Sequence, residues 1–304
     1  MKYFVSLFKL FLLISITACT MKNPEPVFID YKIQDNYPSG STVTYLNGYL
    51  YIMGDDASEI LVLNDSLEET DRIKLFDDNP NQRIPKNLKA DIEASALINF
   101  NERKSILFFG SGSLIPHRDS AFLFNPDDNK IEKINYSKFY DQLRRHFSQL
   151  NIESAASIGE ELILGIRANA SSPDNFLVVA TSDDLLPVYK RRIYIHIPVK
   201  NTGISGMDYD SQQDILYMTF SSENTSNAFD DGEIGESYLA IIDDAKAQLQ
   251  SDKIHISALT KLSDLSSEFK NQKIEGVCLL KEHSQLLLVA DDDKGNTGLF
   301  RLGF

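Results

Sequence analysis

The sequence lacks the motifs of several common enzyme classes. It has no His-Glu-x-x-His pair for zinc, no Gly-x-Ser-x-Gly turn around a serine nucleophile and no Gly-rich phosphate loop ending in Lys-Ser/Thr. Its five histidines are spread over different segments. It contains no tryptophan to stack on a sugar ring, although its 13 tyrosines could partly replace one. The sequence therefore offers no candidate residues for a zinc metalloprotease, an α/β-hydrolase or a P-loop enzyme.

Basic residues are scarce as well. The chain has 30 Lys and Arg against 44 Asp and Glu, which gives a net charge of −14 at pH 7. Proteins that bind nucleic acids need clustered Lys and Arg to neutralise phosphate groups. We therefore expect no nucleic-acid partner.

The first residues have the pattern of a bacterial lipoprotein signal peptide. Lys2 gives a basic start, residues 3–16 are largely apolar, and the sequence ITAC ending at Cys19 resembles a lipoprotein cleavage site. The alternatives are an ordinary secretory signal with an incidental cysteine, or a membrane helix. The apolar run is shorter than the roughly 20 residues that a membrane span needs. We predict that residues 1–18 are removed, that Cys19 is acylated and that residues 19–26 tether the protein to the outer membrane in the cell envelope.

Removal of the signal peptide makes the chain more acidic. It takes away Lys2 and Lys9 but no acids, so the net charge falls to −16. With Cys19 acylated, Cys278 is the only thiol left and no disulfide can form within the chain. Because Cys278 lies inside the apolar sequence VCLL, we expect it to be buried and inert.

A repeated unit organises the rest of the chain. Each copy has an acidic or glycine-containing start, an apolar strand, a polar turn, a second apolar strand and a polar end. The clearest copy starts at Lys273, weaker copies start at Asp91, Asn151 and Gly203, and a faint one starts at Ser41. Self-similarity with about four strands per unit is typical of β-propeller blades.

The repeats predict an all-β fold, a single five-bladed β-propeller over residues 27–304. Four groups of four strands precede a last group of three, and the strand at residues 27–32 is expected to complete that last blade. Six blades and a β-sandwich are the alternatives. Helical spacing of apolar residues predicts a small insertion at 138–150, packed on the outside, with a weaker helix at 262–269. The outer strand of the fourth blade is predicted at 253–259.

Propeller topology brings polar residues to one mouth of the central channel. The first strand of a blade lines the channel and the second returns antiparallel to it, so the start of one and the end of the other share a face. Strand starts place Glu93, Glu153 and Glu275 there, beside Asp91 and Lys273. The strand ends, with Arg118 close enough to reach in, add Asp55, Asp56, Ser111, Ser113, Arg167, Asn169, Ser222, Glu223 and Asp291–Asp293. An alternative is that such acids only cap turns or protect strand edges.

Three clustered glutamates need a compensating charge, or at least one of them stays protonated. Two carboxylates ~6 Å apart repel by roughly 3 kcal/mol at an effective dielectric constant of ~20. Calcium, which takes oxygen ligands, could compensate them. Arg118, Arg167 and Lys273 could do so from within the protein. This balance favours a small polar organic ligand over a dedicated metal site, with calcium as a possible cofactor. Of the histidines only His117 falls near the mouth, and Asp230 lies on an insertion that could fold over it.

Four sequence segments resemble a known family. FGSGS before Arg118, GIRAN, FSSENTSNAFDDGEIGES and KIEGVCLL with LLLVADDD are similar to an uncharacterised bacterial β-propeller lipoprotein family, related at a distance to phytase-like and SdiA-regulated propellers. The resemblance covers about Leu88 to Phe304 and implies a polar central pocket but no reaction. On matching positions it points to Ser111, Ser113, Arg118, Arg167, Asn169, Glu223, Asp230, Glu233, Lys273, Glu275 and Asp291.

The chain departs from that family in two ways. Ser205 stands where the fourth repeat would have glutamate, so the ring of acids is incomplete. The acid-dense phosphate and calcium signature of propeller phytases is also absent.

Three functions are compatible with the sequence. The first is a lipid-anchored propeller that binds a small polar ligand at its mouth, with calcium as a possible cofactor. The second is a phosphoester or ester hydrolase with Glu275 or Glu153 as base and with Arg118 and Arg167 orienting an anionic substrate. The third is a platform for protein partners. Whether the chain is an enzyme is left open by the residues alone.

Overall fold

The computed structural model describes residues 25–77, 83–181, 185–223, 234–291 and 295–304. Cys19, the predicted signal peptide and most of the predicted tether lie outside these ranges. Within them the chain folds into antiparallel sheets with two short helices, α1 Ser137–Arg144 and α2 Ala245–Gln248. The strands are β1 Val27–Gln34, β2 Gly40–Leu46, β3 Tyr49–Gly54, β4 Glu59–Asn64, β5 Glu69–Lys74, β6 Ile92–Phe100, β7 Arg103–Gly110, β8 Ser120–Asn125, β9 Lys130–Asn135, β10 Ile152–Ile158, β11 Glu161–Ile166, β12 Asn175–Thr181, β13 Tyr189–Ile195, β14 Thr202–Asp210, β15 Ile215–Glu223, β16 Ile234–Ile242, β17 Lys253–Ile254, β18 Ala258–Lys261, β19 Lys273–Leu280, β20 Gln285–Asp291 and β21 Thr297–Gly303.

The strands form the five blades of a β-propeller. Blade 1 is β2–β5, blade 2 is β6–β9, blade 3 is β10–β13 with β17, blade 4 is β14–β16 with β18, and blade 5 is β19–β21 with β1. The first strands of neighbouring blades contact one another in cyclic order, and β19 of blade 5 returns to β2 of blade 1. The prediction of an all-β, five-bladed propeller is confirmed, and the six-bladed and sandwich alternatives are wrong.

The core lies between the blades. Four clusters of buried apolar residues fill the spaces where neighbouring sheets face each other. A middle strand is therefore covered on both faces, and its sequence reads as a continuous apolar run. The LLLVA run of β20, from Leu286 to Ala290, is fully buried. Cys278 is buried in a cluster to which blades 1, 2 and 5 contribute, and burial raises its thiol pKa, as expected for an inert thiol.

The N-terminal strand closes the ring. β1 pairs with β21 from Val27 opposite Gly303 to Gln34 opposite Thr297. Tyr31 stacks on Phe300 with ring centroids 4.5 Å apart, and Phe28 meets Phe269 edge-on at 5.8 Å. The predicted completion of the last blade by the N-terminal strand is confirmed.

The helical insertion is shorter than the predicted 138–150. α1 ends at Arg144 and is followed by a tight turn, in which the backbone N–H of Phe147 donates to the carbonyl of Leu143. Phe147 and Leu150 are nevertheless buried with α1 against blades 2 and 3. The Tyr140 hydroxyl donates to the carbonyl of Gly110 at 2.6 Å, so the insertion braces the end of β7.

Two further predictions are wrong. The single outer strand predicted at 253–259 is divided, because β17 pairs in parallel with β13 of blade 3 while β18 alone borders blade 4. The division buries Ile254 beside Ile195 between the two blades. The helix predicted at 262–269 is two short 3-10 turns, the second started by the Ser266 side chain, which accepts the N–H of Glu268. Among the described residues, no helix is long and apolar enough to cross a membrane.

Ring closure by β1 makes a testable contribution to stability. We expect Tyr31→Ala to lower the free energy of unfolding by about 2 kcal/mol, because it removes a half-buried ring stacked on Phe300. Ile33→Ala on the same strand is the control, since Ile33 is 45% exposed. Urea denaturation of both variants checks this, and equal losses would contradict it.

Candidate functional site

A β-bulge recurs at the same place in all five blades. Near the start of each first strand the pairing with the second strand shifts by one residue. A bulge leaves its extra residue unpaired and redirects that side chain. The extra residues, one from each blade in order, are Ser41, Glu93, Glu153, Ser205 and Glu275. These bulges aim five equivalent side chains at the same mouth of the channel.

Three of the five bulge residues form a carboxylate cluster. One carboxylate oxygen from each of Glu93, Glu153 and Glu275 lies within 4.8 Å of the others. Glu153 and Glu275 are only 6% and 4% exposed, whereas Glu93 is half-buried. The structure thus brings together the three glutamates that the repeat aligned. We call them the glutamate cluster.

Glu93 differs from the other two. Among the described residues, no Lys, Arg or His nitrogen lies within ion-pair distance of its carboxylate, and no hydrogen bond to it is formed. Burial raises the pKa of Glu93 well above its ordinary value, and the carboxylates of Glu153 and Asp91 raise it further. At neutral pH this side chain needs a proton or a cation that the neighbouring side chains do not supply.

Arg167 compensates Glu153. Its guanidinium lies 3.4 Å from Glu153 and 3.1 Å from Glu223, and it is 5% exposed. Burial still raises the pKa of Glu153, although Arg167 and Lys273 oppose that rise. Arg167 therefore links the end of blade 3 to blade 4 through two carboxylates.

Lys273 compensates the other side of the cluster. Its ammonium lies 2.7 Å from Glu275 and 3.6 Å from Glu223. Burial raises the pKa of Glu275 to about 8, and Lys273 offsets part of the rise. Glu223 is thus shared between Arg167 and Lys273.

The gap in the acid ring at blade 4 is filled by an arginine. Ser205 carries no charge, and its hydroxyl bonds to Thr219 at 3.2 Å. Arg167 lies across this blade and donates to the carbonyls of Ile204 and Ser221, both at 3.3 Å. A Cβ atom on Gly203 would lie 2.3 Å from Cγ of Arg167, so the glycine is required by this close approach.

A second ion-pair group lies beside the cluster in blade 2. Arg118 is 2% exposed, and it donates to Asp91 at 2.6 Å and to Ser113 at 2.7 Å. Ser111 also donates to Asp91. Arg118 therefore neutralises Asp91 and braces the loop after β7.

Blade 1 contributes two aspartates with basic partners. Asp55 pairs with Lys89, which also lies 2.8 Å from Asp91. Asp56 pairs with Arg83. Burial raises the pKa of Asp56 to about 6, with Asp55 adding to the rise. Burial alone would lower the pKa of Lys89, but Asp55 and Asp91 outweigh burial and raise it.

The other predicted mouth residues have separate roles. Asn169 accepts the backbone N–H groups of Ser171 and Ser172, both at 2.9 Å, which shapes its loop. Ser222 hydrogen-bonds to the hydroxyl of Thr202 at 2.8 Å. Asp291 pairs with Lys273 in the β19–β20 ladder, and His117 is exposed. Asp230, Glu233, Asp292 and Asp293 lie outside the described residues.

Sequence reasoning missed several contributors to the site. Arg83 and Lys89 lie in the connection between blades 1 and 2, outside the repeated unit, so the repeat gave no signal for them. Their sequence, RIPKNLKAD, does place bases directly before Asp91. Ser41, the blade 1 equivalent of the glutamates, is not among the predicted mouth residues. The bulges themselves have no pattern that the sequence displays.

Acids outnumber bases around the mouth. The described groups comprise eight carboxylates (Asp55, Asp56, Asp91, Glu93, Glu153, Glu223, Glu275 and Asp291) and five cations (Arg83, Lys89, Arg118, Arg167 and Lys273). Among these described groups the carboxylates outnumber the cations by three. Of the eight, Glu93 has no ion-pair partner among the described residues. Chemically, the arrangement can hold protons or bind a cationic group.

Comparisons with known proteins identify a family and a fold. The model of a family described as a family of unknown function, DUF6929, matches residues 36–303. No curated protein matches the chain significantly.

Among solved structures, the glutaminyl cyclase of Myxococcus xanthus aligns with a TM-score of 0.54 at 10% identity, covering 91% of this chain and 96% of that one. A DUF4221-family protein from Bacteroides vulgatus has a TM-score of 0.45 at 12% identity, covering 91% and 97%. A streptogramin B lyase has a TM-score of 0.43 at 10% identity, covering 92% and 97%. At these identities a likeness bears on the fold alone.

Arg167 offers a test of the ion-pair network. We expect Arg167→Met to lower the free energy of unfolding by about 3–5 kcal/mol at pH 7, because Glu153 and Glu223 lose their shared partner while buried. Arg145→Met is the control, since Arg145 is exposed. Urea denaturation measures both, and a loss at Arg167 no larger than the control's would rule out this role.

The glutamates also predict a pH dependence. The folded-state pKa of Glu275, about 8, lies above the ordinary value of 4.5, so the folded protein binds more protons than the unfolded chain between these values. Its stabilising contribution is fully present below pH 4.5 and is lost as the pH rises through 8. We expect calcium-free protein to lose stability over this range.

The corresponding variant is Glu275→Gln, which removes the titrating group and should reduce the slope of stability against pH. Glu132→Gln is the control, because Glu132 is exposed on β9. Denaturation midpoints at pH 5, 6, 7 and 8 measure the slopes. Indistinguishable slopes for wild type and Glu275→Gln would refute the assignment.

Proposed function

Because this chain belongs to the DUF6929 family of unknown function, whose description assigns no activity, we propose a function from the geometry of the mouth. The protein is a lipid-anchored propeller of the cell envelope that binds a small polar ligand at the mouth of its channel. A divalent cation such as calcium occupies the glutamate cluster and forms part of that binding site.

The observation that carries this proposal is the state of Glu93. Its carboxylate lies within 4.8 Å of those of Glu153 and Glu275, and no basic side chain among the described residues pairs with it. Two carboxylates at that separation repel by roughly 3 kcal/mol at an effective dielectric constant of ~20. A divalent cation replaces this repulsion by attraction to all three carboxylates.

Oxygen ligands from three blades suit calcium in particular. Calcium takes six to eight oxygen ligands in flexible geometry, whereas magnesium demands a smaller octahedral site and retains waters. Three glutamates supply part of such a set. The remaining positions are left for water and for oxygen atoms of an organic ligand. A ligand with carboxylate, phosphate or hydroxyl groups would therefore bind through the cation.

Lys273 supports recognition of an acidic ligand group. Its side chain is 16% exposed, compared with 4% for that of Arg167, so it is the more accessible of the two cations beside the cluster. Once a divalent cation neutralises Glu275, Lys273 is free to share its ammonium with a ligand anion. Arg167 stays engaged with Glu153 and Glu223 and holds the blades in place.

The proposed anchor agrees with the direction of the chain. Val27 pairs with Gly303, whereas Gln34 pairs with Thr297, which is also the partner of Asp291 at the mouth end of β20. β1 therefore begins on the face opposite the mouth. If Cys19 is acylated, the short tether leaves from that opposite face and the mouth points away from the membrane. The signal peptide, the acylation, the outer-membrane location and the division into tether and propeller remain predictions.

Hydrolysis is the second candidate, and the pKa of Glu275 favours it. A carboxyl group that titrates near pH 8 is suited to proton transfer at neutral pH. However, Arg118 donates its hydrogen bonds to Asp91, Ser113 and the carbonyl of Lys86, so it is less suited to orient an anionic substrate. The relation to phytase-like and SdiA-regulated propellers stays a prediction, as does the platform function for protein partners.

Calcium titration of the purified chain tests the proposal. We expect calcium to raise the unfolding temperature of wild type, with a stabilisation of about 2.7 kcal/mol at 100-fold excess over its dissociation constant. Glu93→Gln should abolish this effect and, without calcium, should stabilise the protein at pH 8 by about 1–3 kcal/mol through removal of repulsion. Glu132→Gln should behave like wild type.

The outcomes separate the parts of the proposal. No response of wild type to millimolar calcium, magnesium or manganese would exclude the cation. With the cation bound, panels of sugars, organic acids and phosphate esters then test for the ligand, and a binding compound should lose affinity in Glu275→Gln. Phosphate release from esters by wild type, lost in Glu275→Gln, would favour the hydrolase instead.

A further inference from the structure

The opposite end of the channel contains a separate cavity. Each first strand of a blade runs away from the mouth, so its last residues and the following turn lie at the far end. A cavity of about 330 Å³ lies there, within the size range of small-ligand pockets. All five blades contribute to its lining. Its polar and aromatic side chains include Tyr45, Lys104, Asp208, Tyr209, Lys281 and Glu282.

The middle of the channel separates this cavity from the glutamate cluster. A Cβ atom on Gly276 would lie 3.2 Å from Cα of Thr42, and one on Gly206 would lie 3.0 Å from Cα of Gly276. The inner strands of blades 1, 4 and 5 therefore approach closely at this level. On the other side, Ser95 hydrogen-bonds to the hydroxyls of Thr42 and Thr44 at 2.6 and 2.8 Å. The two ends are distinct sites.

Asp208 is the fixed charge in the cavity wall. Its carboxylate accepts the backbone N–H of Leu279 at 2.7 Å and that of Tyr209 at 2.8 Å, which holds it between blades 4 and 5. Each carboxylate oxygen retains a further lone pair for a ligand donor. Burial raises the pKa of Asp208 to about 6, while the two N–H groups and Lys281 oppose the rise.

The rim is predominantly basic and the walls supply apolar surface. Lys104 from blade 2 and Lys281 from blade 5 line the cavity and are exposed, and Glu282, next to Lys281, adds one acidic group to the same rim. The Tyr209 hydroxyl donates to Asp214 at 2.8 Å, which fixes that ring in the wall.

We propose that this cavity binds a compact zwitterion of the α-amino acid class. The ligand ammonium pairs with Asp208, and its carboxylate lies between Lys104 and Lys281. The opposed charges on one small cavity favour a ligand carrying both signs over a neutral sugar or a simple anion. Charge-assisted hydrogen bonds at both ends give orientation as well as affinity.

This site is independent of the proposed function of the mouth. It uses none of the residues of the glutamate cluster and needs no divalent cation. Failure of calcium binding would leave it intact, and its own failure would leave the mouth site intact.

Calorimetric titration of the purified full-length chain tests the proposal. The probes are the twenty amino acids, first in pools at 10 mM and then singly, with glucose and inorganic phosphate for comparison. We expect at least one amino acid to bind wild type and neither glucose nor phosphate to bind at this site. Asp208→Asn should weaken binding at least about 10-fold because it removes the partner of the ammonium.

Two further variants make the result specific. Lys281→Gln changes an exposed side chain, so this variant should fold normally and should also weaken binding. It keeps the proposal testable if Asp208→Asn does not fold. Glu275→Gln at the mouth should change affinity less than 2-fold. The proposal is overturned if no amino acid binds wild type, if Lys281→Gln and a folded Asp208→Asn bind as wild type does, or if Glu275→Gln abolishes binding.

Discussion

The mouth of this propeller depends on the mutual neutralisation of buried charges. Five sheets meet at one axis, and their equivalent β-bulges direct the side chains of that position toward it. Arg167 and Lys273 share Glu223 and so connect blades 3, 4 and 5 through a chain of ion pairs. Because Arg167, Glu153 and Glu275 are buried, removing one member of this chain leaves a partner charge with little access to water. Glu93 is the point where this internal compensation ends.

The departure from five-fold repetition is what makes the site chemically specific. Identical glutamates in all five blades would place five repelling charges on one axis. Serines in blades 1 and 4 interrupt the ring, and at blade 4 the Arg167 guanidinium lies where Gly203 leaves room for it. The result is an asymmetric ring with a compensated side at blades 3 to 5 and an uncompensated side at blade 2. Such polarity orients a bound group, which a symmetric ring would not do.

The sequence repeat predicted the fold and the three glutamates of the cluster, because blade topology alone brings equivalent residues to one face. The repeat could not predict the ion-pair partners that lie outside it. Lys89 and Arg83 reach the mouth from a connecting segment. Arg118 was predicted at the mouth, but its pairing with Asp91, which also accepts from Ser111 and Ser113, was not. The prediction of a single strand at 253–259 is wrong for a similar reason. The local sequence is β-like throughout, but burial of Ile254 between two blades pairs β17 with blade 3 and leaves β18 to blade 4.

Closure of the ring by β1 has a mechanical consequence. The strand is held to β21 by a ladder that runs along its length from Val27 to Gln34, with Phe28 and Tyr31 packed on aromatic rings. A pull on the chain before Val27 acts along the axis of the strand, so the ladder is loaded in shear and its hydrogen bonds share the force. A force applied to the chain before Val27 is therefore resisted by the whole last blade. The mouth lies on the opposite face, away from the point at which the force acts.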